Sequence, residues 1–143
     1  MTSPLNGGCL CGAIRYTVSA PVSQLRACHC THCQKISGAG ASVNAIVPTA
    51  SFTLEKGTPK RYDDTADSGR ILQRFFCADC GSSLFSRRAV SPEVTVLKVG
   101  TLDAPVDMKI VAHIWTRSAR PWSHIDPACE QHREAPPPPP PAR

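Results

Sequence analysis

Between positions 9 and 80, seven cysteines fall into three tight groups: Cys9-Leu10-Cys11, Cys28-His29-Cys30-Thr31-His32-Cys33 and Cys77-Ala78-Asp79-Cys80. Thiols one or two residues apart suit convergence on a common ion better than bridges between distant loops, so the pattern points to zinc rather than to a disulfide framework. No basic segment followed by an apolar stretch opens the chain, so a cytoplasmic setting is expected, in which thiols stay reduced.

Each two-cysteine group supplies two thiolates. In a C-x-x-C knuckle the backbone must turn back so that both sulfurs face one point, and Gly81 after Cys80 suits that turn, as Gly12 does after Cys11. Two plus two gives a closed, tetrahedral, structural site. The middle group offers three thiolates, Cys28, Cys30 and Cys33, and three ligands leave the fourth position for water or substrate, as in catalytic zinc sites. Three thiolates also leave the ion with a net negative charge. That weakens it as a water activator and favours a soft ligand such as a substrate thiol. Two zinc ions per chain are expected. Spacing alone leaves two alternatives open: His29, His32 or Cys129 could close the middle group, and either outer pair could join a middle cysteine.

These groups must be positioned by short extended segments. Strands are predicted over 13–18, 42–47, 52–56, 70–77, 83–88, 94–99 and 109–115, with Ile14, Tyr16 and Val18 on one buried face. Val94 and Val96, and Ile110, Ala112 and Ile114, alternate in the same way. The one predicted helix is Thr31 to Ser37, inside the middle cysteine group and ended by Gly38 and Gly40. The class is mainly β. At 143 residues the chain suits one domain over 1–133, and the six prolines from Pro136 mark 134–143 as a disordered, polyproline-prone tail. No apolar run approaches a membrane span, so no membrane partner is expected. The formal charge of +5 counts cysteine as neutral, and seven thiolates on two dications lower it by three. With few aromatics and dispersed basic residues, nucleic acid is disfavoured as a partner.

Taken in order, the chain resembles the glutathione-dependent formaldehyde-activating enzyme family, whose domain also occurs in centromere protein V. The resemblance is carried by Gly7-Gly8-Cys9-Leu10-Cys11-Gly12 with Ala13-Ile14-Arg15-Tyr16, and by Cys28 to Cys33 continued through Gln34-Lys35-Ile36-Ser37-Gly38. Further on, Phe76 to Ser82, Gly100-Thr101-Leu102-Asp103, His113-Ile114-Trp115 and Arg120-Pro121-Trp122 complete it. It implies irregular zinc-stapled β-sheets similar to those of the Mss-like accessory factors of Rab GTPase exchange. It also implies a structural zinc on Cys9, Cys11, Cys77 and Cys80, with a second zinc, associated with activity, on Cys28, Cys30 and Cys33. The implied activity is that of a carbon-sulfur lyase, the reversible joining of glutathione to formaldehyde, with glutathione or a similar small thiol as partner.

The remaining candidates have plainer readings beside the functional ones. His113, Trp115 and Trp122 are read as core or rim before substrate contacts. Arg117 and Arg120 could pair with a carboxylate of a tripeptide-like thiol or be solvated. Arg87 and Arg88 could neutralise the four-thiolate site or guard a sheet edge, and Cys129 is read as a free thiol. The competing functions are a non-catalytic zinc module for a protein or nucleic-acid partner, and a redox or metal-buffering thiol protein.

Overall fold

Apolar residues placed two apart mark several of this chain's strands, and a computed structural model, which describes residues 3–104 and 107–136, shows where they lead. In chain order the elements are β1 (Leu5–Gly8), β2 (Arg15–Val18), β3 (Gln24–Cys28), α1 (Thr31–Ser37), β4 (Ser42–Pro48) and β5 (Phe52–Lys56). There follow β6 (Lys60–Thr65), β7 (Ile71–Phe76), β8 (Ser83–Arg88), β9 (Ser91–Lys98), β10 (Lys109–Ile114) and β11 (Glu130–Gln131). The fold is mainly β, with open sheets and one α-helix among the described residues. No helix among them is long and apolar enough to cross a membrane.

The described residues fall into two compact units, one within Met1–Leu25 and Asn44–Lys109, the other within Arg26–Val43 and Ile110–Arg143. In the first, β2 is the centre of a three-stranded sheet between β1 and β5. Its alternation buries Ile14, Tyr16 and Val18 to 2% exposure or less, as their spacing predicts. Tyr16 stacks on Phe52, Phe52 meets Phe85, and Phe85 stacks on Phe75. Strands β4, β9, β8, β7 and β6 follow one another as antiparallel neighbours in this unit.

Three side-chain placements differ from expectation, one of them in β10, where Ile110 is exposed and His113 is buried instead. In β9 the buried residues are Thr95, Leu97 and Lys98, while Val94 is exposed. Register decides this: Leu97 stands opposite Ala45 on β4 and Phe85 on β8, and all three are buried. Arg87 serves neither a sulfur cluster nor an exposed edge. Its guanidinium lies 4.7 Å from the Phe85 ring centre and 5.4 Å from that of Phe52, with Nε donating to Thr95 Oγ1. A weakly hydrated planar cation can cap an aromatic cluster in this way.

In the second unit β10 lies between β3 and β11, and Ala112 and His113 are its buried residues. Helix α1 ends at Gly38, whose φ of 68° is the left-handed stop and whose N–H returns to the Gln34 carbonyl. Glu134 is held by its carbonyl, which accepts from Trp115 N–H, and by its carboxylate, which pairs with Arg117. Most of the predicted tail, residues 137–143, lies outside the described residues.

Candidate metal centres

In the first unit, the turns before β2 and before β8 bring the sulfurs of Cys9, Cys11, Cys77 and Cys80 within 4.8 Å of one another. Zn–S bonds of about 2.3 Å in a tetrahedron put sulfurs about 3.8 Å apart. Cys9 and Cys11 Sγ are separated by 3.6 Å, and Cys11 and Cys77 Sγ by 3.8 Å. Local backbone geometry sets this up twice. Gly12 and Gly81 have φ of 80° and 79°, and their N–H groups return to the carbonyls of Cys9 and Cys77. Nothing lies within 4 Å of a Cβ built at either position, so the glycines are required by the left-handed backbone and not by space.

Polar groups already favour negative sulfur here. Ile14 N–H donates to Cys9 Sγ at 3.2 Å, and Ser82 Oγ lies 3.3 Å from Cys80 Sγ while accepting from Leu10 N–H. The Ser82 hydroxyl, its backbone N–H and that of Cys11 bring the Cys80 thiol down to about 5. Cys11 behaves oppositely. The Ala13 N–H pulls its value down, but Cys9, burial, Cys80 and Cys77 outweigh this and push it up to about 12. Neighbouring thiolates resist sharing a site unless a cation joins them, and these four could hold one.

In the second unit, Cys28 at the end of β3, Cys30 as the N-cap of α1 and Cys33 in its first turn form a three-sulfur group. Cys28 and Cys33 are buried, and Cys30 is half-buried. Cys33 N–H donates to Cys30 Sγ at 3.3 Å. Crowding by Cys30 and Cys33, together with burial, pushes the Cys28 thiol far up, so its thiolate would need a cation beside it, and this group too could hold one.

Among the described residues, no histidine belongs to this group. His29 Nε2 lies 2.9 Å from His113 Nδ1, and Ser123 Oγ is 3.5 Å from His29 Nδ1. Burial, and then the other imidazole, lowers the pKa of His29; burial also lowers that of His113. Cys129 is likewise apart from the group, its Sγ contacting the Ile110 carbonyl. Gln34, next to Cys33, donates from Nε2 to the His29 carbonyl at 2.7 Å and the Ser118 carbonyl at 2.9 Å, and its Oε1 accepts from Arg120 Nε at 2.7 Å. Sequence reasoning gave Gln34 no role. Its place beside Cys33 was visible, but partners more than 80 residues away were not.

The family model of the glutathione-dependent formaldehyde-activating enzyme matches residues 4–118, which include both sulfur groups. The chain belongs to this family. Among curated relatives provisionally named glutathione-dependent formaldehyde-activating enzymes, one from Phaeosphaeria nodorum is 34% identical over 79 residues, 55% of this chain and 40% of that protein. Another from Aspergillus flavus is 33% identical over 81 residues, 55% of this chain and 41% of that protein. The matched stretch thus spans about two fifths of the length of these family members. A crystal structure of a Rhodobacter sphaeroides protein shares the fold, with a TM-score of 0.57 and 21% identity over 71% of this chain and 90% of that one.

Proposed function

We propose that this chain is a zinc-dependent carbon-sulfur lyase-type enzyme that forms and cleaves adducts of a small, glutathione-like thiol with formaldehyde or a related carbonyl. The observation that carries this reading is the three-sulfur group of Cys28, Cys30 and Cys33, a donor set one short of a tetrahedron. Family membership and the relatives' names supply the thiol and the carbonyl. Cys9, Cys11, Cys77 and Cys80 are the ligands proposed for a structural zinc.

A zinc ion on the three cysteines would supply one position for a substrate thiol and favour its thiolate form. The chain's own residues prepare that position. Cys28, Cys30 and Cys33 hold three corners, and the His29–His113 contact keeps the intervening imidazole away from the fourth. Gln34 ties the His29 carbonyl to the Ser118 carbonyl, fixing the C-H-C segment on which two ligands sit. In the forward reaction the thiolate sulfur adds to the carbonyl carbon, a carbon-sulfur bond replaces the carbonyl π bond, and the oxygen takes up the proton the thiol gave up. In reverse the sulfur leaves as thiolate. Eight cysteines, none of them in a disulfide, and a thiol substrate suit a reducing, cytoplasmic setting.

The test is exchange NMR of labelled formaldehyde with glutathione, with and without zinc-loaded protein. Faster exchange that vanishes in Cys30→Ala, with the fold retained by circular dichroism, is expected. Exchange at the same rate in Cys30→Ala would remove this site from the chemistry, and no acceleration by the native chain would favour a non-catalytic zinc module.

A further inference from the structure

The turn after β10 brings a cation to Gln34, the residue after Cys33, and leaves its binding fork open. Trp115 has φ of 57°, a left-handed conformation that is costly for a bulky residue. This turn begins the 3₁₀ segment Thr116–Ser118, which presents the Ser118 carbonyl to Gln34. Two residues later Arg120 Nε donates to Gln34 Oε1 at 2.7 Å. Gln34 adjoins Cys33 and holds the carbonyl of His29, which lies between Cys28 and Cys30. The guanidinium is therefore tied to the same short segment that carries all three sulfurs.

Arg120 is exposed, and among the described residues its terminal nitrogens have no partner. Arg117 differs, since its Nη1 is engaged by Glu134 at 2.7 Å. Beyond Arg120, Ser123 N–H returns to the Arg120 carbonyl and the turn lays Trp122, 72% exposed, against Gly40. A Cβ at Gly40 would lie 2.9 Å from Trp122 Cζ3, so only glycine admits the indole this closely. A flat apolar wall and an arginine fork thus stand on the segment that packs on α1.

We propose that Arg120, anchored through Nε to Gln34, binds a carboxylate of the substrate, so that this site selects carboxylate-bearing thiols over neutral ones. The inference rests on the thiol–carbonyl reading for the place of the sulfur. A guanidinium held by one nitrogen and open at two presents the planar pair of donors that matches a carboxylate. Arg120 is a binding residue for the unreacting end of the molecule, and its effect belongs in KM rather than in kcat.

Calorimetry on the zinc-loaded full chain tests it with S-methylglutathione, whose sulfur carries no proton to lose, and with its dimethyl ester. Tighter binding of the acid by about tenfold or more is expected, with the difference erased in Arg120→Met at unchanged zinc content and partly kept in Arg120→Lys. Equal affinity for acid and ester in the native chain, or a difference that survives Arg120→Met, would overturn the proposal. Acid preference without accelerated formaldehyde exchange would leave it standing and end the lyase reading. Accelerated exchange without acid preference would do the reverse.

Discussion

His29 Nε2 and His113 Nδ1 stand 2.9 Å apart with both rings buried. One nitrogen must donate and the other accept, so at least one imidazole is neutral, in keeping with the lowered pKa of both. The contact ties the residue between Cys28 and Cys30 to β10. Replacing His113 by Ala leaves the His29 ring buried without this partner, a loss of about 1–3 kcal/mol. Urea denaturation should show it, and His113→Gln, which can still offer one hydrogen bond, should recover part. A His113→Ala midpoint equal to the native one would mean the contact contributes nothing.

The four-sulfur group joins the turn before β2 to the turn before β8. Metal on such a group contributes folding free energy directly. Cys77→Ser should lose one zinc per chain by elemental analysis and lower the melting temperature steeply, as should a strong chelator applied to the native protein. Cys30→Ser should lose zinc with a smaller effect on melting. Equal melting losses in both variants would argue against a division between staple and working site.

Gly81 needs its left-handed φ of 79°, and nothing crowds the space a methyl group would take. Gly81→Ala should therefore cost about 1 kcal/mol or somewhat more through backbone strain alone. A thermal melt of the metal-loaded variant measures it; an unchanged melt would mean that the turn relaxes freely.

Asp103 is gripped by both terminal nitrogens of Arg15, one at 3.0 Å, and hydrogen bonding from that guanidinium lowers its pKa. Because the folded-state value is depressed, the pair's contribution is present above the unfolded carboxylate value and is lost as pH falls through the folded one. Carboxyl-carbon NMR should find the Asp103 midpoint below the usual range, returning to it in Arg15→Met. Identical midpoints in the two proteins would show that the pair does not act in solution.

Much of this was legible from residue spacing. The cysteine groups, the turns at Gly12 and Gly81 and the span of α1 follow from local rules, and β5 and β8 are where alternation and turn residues put them. The strands β1, β3, β6 and β11 were not foreseen. Leu5–Gly8 is half glycine, Lys60–Thr65 is polar and largely exposed, and Glu130–Gln131 is two residues long, so none carries an alternating apolar signal. Gln24–Cys28 does alternate, but over only five residues, with Leu25 and Ala27 buried. The support around the three sulfurs was hidden for another reason. Gln34 meets Ser118 and Arg120, and His29 meets His113, only when α1 and the segment after β10 are folded together. Spacing can nominate ligands, whereas the residues that orient them come from distant parts of the chain.

The central claim is that Cys28, Cys30 and Cys33 hold a zinc with one position open to a thiol. Zinc X-ray absorption on the fully loaded chain counts sulfur neighbours directly. One closed and one open site predict an average of about 3.5 sulfurs per zinc, rising to about 4 when glutathione is added, with no rise on adding S-methylglutathione. A count already at 4 before the thiol is added, or one that glutathione leaves unchanged, would contradict the account.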